Sequence, residues 1–241
     1  MSVVSYCVLR TVRSYTMSSP IRTKVLQLSE NELSMQAATA VESLMKGNII
    51  AVPTDTIYGV AGLAQSSEAV NRLYNIKSRD PAKPVAISVA DVSDIYRWSR
   101  VTVPDELLHD LLPGPVTVVF ERNKNLNVHL NPQTSLVGIR IPQHDFVRKL
   151  TRACNEPLAL TSANISSHRS PLSVEEFREL WPSLDLVFDG GVLSECSVSR
   201  LGSTVVDLSV VGKFKIIRAG SAEQSTVDIL QNKYDLREIA R

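Results

Sequence analysis

Short apolar runs, each closed by polar, glycine or proline residues, alternate along this chain with stretches of helical period. The runs are IIAV (49–52), VAISV (85–89), VTVVF (116–120), VGIRI (137–141), a run ending at Leu160, STVVDL (203–208) and FKIIR (214–218). Ahead of the first, Leu33, Ala37, Ala40, Val41 and Leu44 fall on one helical face, and Gly47 closes the segment. Further helices are predicted over 67–76, from an Asp91 cap to Trp98, from Pro104 through DELLHDLL, and from Asp145 with Phe146, Leu150 and Ala153 inward. Ser173 and Glu176 have the spacing of a capping box for a helix carrying Phe177 and Leu180, and a last helix follows Gly220. TDTIYGVAG (54–62) reads as a polar, glycine-containing loop, and the Asn-rich 121–135 as a second loop. Such interleaving fits an α/β fold, with a twisted mixed sheet flanked by helices. The uneven connections argue against a regular doubly wound sheet.

With 44% apolar residues among 241, the chain can bury a substantial single core. Its 26 basic and 25 acidic side chains argue against a DNA-condensing protein and leave a local basic cleft open. No apolar run has the length of a membrane span. Cys7, Cys154 and Cys196 form neither a disulfide ladder nor a CxxC metal knuckle. Residues 1–29 carry Arg10, Arg13, Arg22 and Lys24 and no acid. They resemble a mitochondrial presequence, and an unstructured start fits them equally. The expected organisation is this leader, a body over 30–225 and a short helical tail over 226–241, in the cytoplasm, the mitochondrion or both.

No phosphate loop of the GxxxxGK[ST] type, GxSxG elbow, HExxH helix or EF-hand loop occurs. His109, His129, His144 and His168 are scattered and read as surface or local hydrogen-bonding residues, and no metal ligands are assigned. Asn164-Ile165-Ser166 matches the glycosylation triplet and reads as incidental.

Four polar clusters lie at strand ends, where α/β sheets place ligands. Thr54-Asp55-Thr56 with Tyr58-Gly59 follows the first buried run and fits either a small polar substrate or a tight turn. Lys77, Arg79 and Lys83 suit a polyphosphate, although on composition alone they are a solvated loop. Ser162 and Asn164, at alternate positions, can face one way on an extended backbone or cap a helix. Thr117, Arg140, Ser203, Thr204 and Arg218 sit in or beside later strands. An arginine inside VGIRIP needs a carboxylate or an anionic ligand if it is buried. From the residues alone, this is an α/β protein with an anion cleft.

The clusters occur within IIAVPTDTIYGVAG (49–62), KSRDPAKP (77–84), LLPGPVTVVF (111–120), VGIRIP (137–142), LALTSANIS (158–166), FDGG (188–191), GSTVVDL (202–208) and IIRAG (216–220). Taken in order, they resemble the YrdC/Sua5 family of threonylcarbamoyl-adenylate synthases over roughly residues 30–225, and its single-domain vertebrate form more than the two-domain one. The resemblance implies a single YrdC-like α/β domain with a large concave basic pocket. It also implies synthesis of L-threonylcarbamoyl-AMP from L-threonine, bicarbonate and ATP, with Mg²⁺ and release of pyrophosphate. The product goes to a tRNA threonylcarbamoyl-transferase complex for N6-threonylcarbamoyladenosine at position 37 of tRNAs. By the same resemblance, Lys77 and Arg79 are catalytic. Thr56, Ser88, Arg140 and Ser162 bind threonine and bicarbonate. Arg79, Lys83, Thr117, Ser162, Asn164, Ser203, Thr204 and Arg218 bind the nucleotide. Ser88 stands where many members carry His, and a hydroxyl cannot act as an acid or base near neutrality. The alternative reading is a non-catalytic module that binds double-stranded RNA or tRNA through the same cleft.

Overall fold

The computed structural model describes residues 23–76, 84–165, 168–194 and 200–239. Strand β1 (Lys24–Gln27) leads to helix α1 (Leu33–Met45), then β2 (Ile50–Val52), β3 (Gly59–Leu63) and α2 (Ser67–Ile76). Next come β4 (Ala86–Ser88), α3 (Val92–Trp98), β5 (Ser99–Arg100), α4 (Asp105–Leu111), β6 (Val116–Arg122) and β7 (Leu136–Arg140). Helix α5 (Asp145–Cys154) and β8 (Leu158–Ser162) precede a 3-10 segment (Val174–Ser183) and β9 (Leu186–Asp189). The described chain closes with β10 (Thr204–Asp207), β11 (Lys213–Arg218), α6 (Glu223–Asp228), a π turn (Ile229–Lys233) and β12 (Arg237–Glu238).

Among the described residues the strands form one mixed sheet, in the order β1-β9-β2-β3-β8-β4-β7-β6-β10-β11-β12, with β5 added on β6. Neighbours such as β4/β7 and β6/β10 run parallel, whereas β3/β8 and β6/β7 run antiparallel. Successive strand residues face opposite ways, so each strand divides its side chains between two layers. Val137, Ile139, Val118 and Ala159 pack on one face with Leu73 of α2, Ile95 of α3 and Leu107 and Leu108 of α4. On the other face, Ile50, Val52, Leu158, Leu160 and Phe188 pack against Ala40 and Leu44 of α1 and Phe146 and Leu150 of α5. This second layer stops partway across the sheet. Among the described residues, no helix covers the face beyond it.

The predicted runs at 49–52, 85–89, 116–120, 137–141 and 214–218 contain observed strands, and the fold is a single α/β domain with a mixed sheet flanked by helices. Several expectations need correction. The stretch 59–62, read as loop, is strand β3, which is buried along its whole length. Its glycines serve close packing: a Cβ on Gly59 would lie 2.7 Å from Leu160 Cδ1, and one on Gly62 would lie 2.6 Å from Ile49 Cδ1. Small residues therefore mark a crowded central strand here, not a turn.

Lys24–Gln27, placed in the leader, pair with Leu186–Asp189 in the sheet, so the folded body begins before residue 30. The helix expected after Gly220 begins at Glu223 and continues through a π turn with Leu230 fully buried, but the tail then gives way to strand β12 instead of staying helical. The Ser173 side chain does not cap its segment, which is kinked at Phe177. The Glu176 carboxylate accepts instead from Arg200 Nη2 at 2.9 Å and from the Leu172 N–H at 3.4 Å. Ala153 is exposed, and Cys154 takes the inward place on α5. Burial pushes its thiol up to about 12, so it is protonated and unreactive near neutrality. Among the described residues, no helix is long and apolar enough to cross a membrane.

Candidate active site

The open part of the sheet face forms the floor of a cavity of about 360 Å³. Strand alternation decides what lines it. Gly59 of β3, Leu160 and Ser162 of β8, Ala86 of β4, Leu136, Gly138 and Arg140 of β7, and Thr117 and Val119 of β6 all contribute, as do Ser203, Val205 and Arg218. The pairings Gly59↔Ser162, Ala86↔Leu160 and Thr117↔Val205 carry this face from strand to strand. Gly138 keeps the floor low, since a Cβ there would lie 3.1 Å from Thr117 Cγ2.

One wall is built around Arg140. The Thr54 hydroxyl organises the β2–β3 connection by donating to the Ile57 carbonyl at 2.7 Å and accepting the Thr56 and Ile57 N–H groups at 3.2 Å each. That turn holds Asp55 and Thr56 against the end of β7. Arg140 Nη2 donates to Asp55 Oδ1 at 2.5 Å and to Thr56 Oγ1 at 2.8 Å. Burial lowers the guanidinium's pKa, and the Asp55 charge opposes that shift. The pairing offsets part of a large desolvation cost. Asp55 Oδ2, Arg140 Nε, Ser88 Oγ and His144 Nδ1 are buried here without a hydrogen-bond partner among the described residues. Burial also lowers the His144 pKa, against the charges of Asp55 and Asp145, so its imidazole is neutral at neutral pH.

The opposite wall joins β6, β10 and β11. Thr117 Oγ1 and Ser203 Oγ are 2.8 Å apart, and Arg218 Nη2 donates to the Ser203 carbonyl at 2.7 Å and to its Oγ at 3.2 Å. Between the walls the lining is apolar, from Val119, Leu136, Val205 and Ile217. Two polar walls around an apolar slot suit a ligand with charged groups and a planar or aliphatic portion.

The fold thus gathers Thr117, Arg140, Ser162, Ser203 and Arg218, far apart in sequence, around one cavity. Thr56 and Ser88 are buried beside Arg140, outside the residues that line it. Asn164 Nδ2 donates to the Ile165 and His168 carbonyls, at 2.9 and 2.7 Å. Thr204 Oγ1 accepts the Ala222 N–H at 3.2 Å. Both of these side chains serve local backbone and lie outside the lining. Lys77, Arg79 and Lys83 lie outside the described residues, but Pro84, next in the chain, is on the cavity wall. The apolar lining went unnoticed in the sequence, although the alternation in VTVVF and LVGIR carried it. Asp55 was noticed only as part of a loop. Its role as the partner of Arg140 depends on a long-range contact.

The Sua5/YciO/YrdC family model, described as "Telomere recombination", matches residues 42–220. A threonylcarbamoyl-AMP synthase of Mus musculus is 57% identical over 199 residues, covering 82% of this chain and 71% of the relative. The Homo sapiens protein of the same name is 56% identical over 202 residues, with coverage of 82% and 71%. Among solved structures, P. abyssi Sua5 complexed with L-threonine superposes with a TM-score of 0.77 at 26% identity, covering 90% of this chain and 63% of that one. The cavity between the Arg140 and Ser203 walls lies within the stretch that the family model matches, and the chain belongs to the Sua5/YciO/YrdC family.

Proposed function

We infer that this protein is a threonylcarbamoyl-AMP synthase, a nucleotidyltransferase that joins L-threonine, bicarbonate and ATP into L-threonylcarbamoyl-AMP and releases pyrophosphate. The observation that carries the reading is the two-walled cavity in a chain 57% identical to a mouse protein of that name. Bicarbonate takes up a proton and loses water to give CO2, and the threonine amine attacks that CO2 and gives up a proton. The resulting carbamate oxygen attacks the α-phosphorus of ATP, and pyrophosphate leaves. No protein nucleophile is needed, so catalysis consists of positioning and charge neutralisation.

Arg140, fixed by Asp55 and Thr56, serves the threonine end. Thr117, Ser203 and Arg218 serve the nucleotide, and Ser162 lies between the two. Lys77 and Arg79 neutralise the carbamate and the α-phosphate, and with Lys83 they give the pocket its basic character. Thr56 and Ser88 act from behind the wall, and Asn164 and Thr204 shape the backbone that holds the nucleotide. Among the described residues, no three His, Cys, Asp or Glu side chains are grouped to hold a metal ion, and no step is routed through one. Mg²⁺ is expected as the counterion of the ATP polyphosphate.

The product passes to a separate tRNA threonylcarbamoyl-transferase complex for modification at position 37. A cytoplasmic and mitochondrial distribution follows if the basic, acid-free start is a presequence, which must then end before the β1 strand at Lys24.

The test is incubation with ATP, Mg²⁺, bicarbonate and L-threonine, with product followed by mass and pyrophosphate in parallel. Product that vanishes when threonine or bicarbonate is omitted is the expected result. Lys77→Ala should cut the rate by about 10²–10³ with an unchanged melting midpoint, the scale seen when one group stabilising transition-state charge is removed. Folded protein that binds ATP and forms no product overturns the reading, and salt-sensitive tRNA binding by such protein would favour a non-catalytic RNA module.

A further inference from the structure

The Asn-rich stretch read from the sequence as irregular is a braced loop. Arg122 donates to the carbonyls of Leu126, Asn127 and Leu130. Asn127 donates to the Ala64 carbonyl at 3.1 Å and its Oδ1 accepts the His129 N–H at 3.0 Å, while Leu126 and Leu130 are buried. The brace presents one side chain inward. Asn131, 2% exposed and held at φ 53°, aims its amide at Val85. Its Oδ1 accepts the Val85 N–H at 2.7 Å, and its Nδ2 donates to the Val85 carbonyl at 2.8 Å. One side-chain amide therefore satisfies both backbone groups of a residue just ahead of β4, as a neighbouring strand would.

The same Oδ1 also accepts the Tyr74 hydroxyl at 3.0 Å. Tyr74 lies in the last turn of α2, and Lys77 follows shortly after it. Val85 comes shortly after Lys83. We propose that Asn131 is a positioning residue for the segment carrying Lys77, Arg79 and Lys83: its amide joins the two ends of that segment, Tyr74 on α2 and Val85 before β4. A buried amide with three partners spanning two elements has no slack to lose, because each unmade bond leaves a polar group stranded away from water. The tie can act on chemistry only through the chain between these two ends. The kinetic part of the proposal therefore rests on the synthase reading above. The structural part does not.

The test uses the full chain and two variants, Tyr74→Phe and Asn131→Ala. Three quantities are read: the melting midpoint, the initial rate of trypsin cutting after Lys77 and Arg79 relative to cutting after Lys213 and Lys215, and kcat and KM for threonine and ATP. Tyr74→Phe removes one hydroxyl from a half-buried ring, so it decides the matter even if Asn131→Ala fails to fold. We expect Tyr74→Phe to raise cutting after Lys77 and Arg79 about fivefold, the factor matching one lost hydrogen bond. The reference cuts stay as in the parent, the midpoint falls by no more than about 2–4 °C, and kcat falls while KM is held. Unchanged cutting at these two sites overturns the tie. Faster cutting with unchanged kcat overturns its catalytic role. If the parent itself makes no threonylcarbamoyl-AMP, the synthase reading fails, and the cutting ratio alone still decides whether Asn131 joins the segment's ends.

Discussion

One face of the sheet is treated in two ways. Over β9, β2, β3 and β8 it is roofed by α1 and α5 and carries Phe188, Ile50, Val52, Leu63, Leu158 and Leu160. Over β4, β7, β6 and β10 no helix among the described residues roofs it, and the same alternate positions carry Ala86, Gly138, Arg140, Thr117 and Ser203. Two strands pass from one regime to the other. Along β3 the sequence of residues facing this side is Leu63, Ala61, Gly59, and along β8 it is Leu158, Leu160, Ser162. Side chains shrink or turn polar where the helices end, and Leu160 belongs to both regions. The backbone geometry is continuous across the boundary. What separates the core from the cavity here is the end of the helical roof together with side-chain volume and polarity.

The sharpest way to test that contrast is to damage the roofed half first. Phe146 is fully buried, with its ring centroid 4.6 Å from that of Phe188. Phe146→Ala should lower unfolding free energy by about 3–5 kcal/mol in denaturant titration. The activity of the molecules that remain folded should stay near the parent's. A large kcat loss at low temperature, with the fold intact, would mean that the two halves are not separable.

The opposite change is to fill the unroofed half. Gly138→Val puts a branched side chain on the cavity floor, where even a Cβ is tight against Thr117. Overpacking should cost about 1–3 kcal/mol of stability, and KM for threonine and ATP should rise about tenfold. If affinity is unaffected, the ligands do not occupy this floor.

The smallest effect concerns pH at the boundary. The His144 pKa is lowered by burial from its ordinary 6.5, so the unfolded chain takes up this proton more readily than the folded one. Its contribution is complete above pH 6.5 and is lost as the pH falls through that value toward the folded pKa. The groups facing it are Asp55 and Asp145, and both favour the charged form. Melting midpoints of the parent should therefore decline below this pH more steeply than those of His144→Gln. Superimposable pH profiles would remove His144 from the account.

Much of this was legible in the sequence, for reasons that separate cleanly by region. Strands at 116–120 and 137–141 were visible because alternation and β-branched residues both mark them. Arg140 was visible as a cost that needed a partner. β3 was misread because Gly59 and Gly62, fitted to Leu160 and Ile49, look in isolation like turn residues. β1 escaped notice because Lys24 and Gln27 expose an edge that no longer looks apolar, and it exists only through pairing with β9. The Ser173 box failed because Arg200 claims the Glu176 carboxylate, a competition invisible at local range. Among candidate site residues, Ser162 and Asn164 were paired by spacing, yet only Ser162 lines the cavity, since the chain turns away after β8.

The passage of β8 from roofed to open sheet also bears on accuracy. A slip of one residue against β3 would carry Leu158 and Leu160 away from Phe146 and Leu150, and would turn Ser162 from the cavity in the same movement. The grease under α5 therefore acts as a vernier for the polar site. The facing of a serine is inherited from the leucines farther down the same strand, where a slip is most heavily penalised.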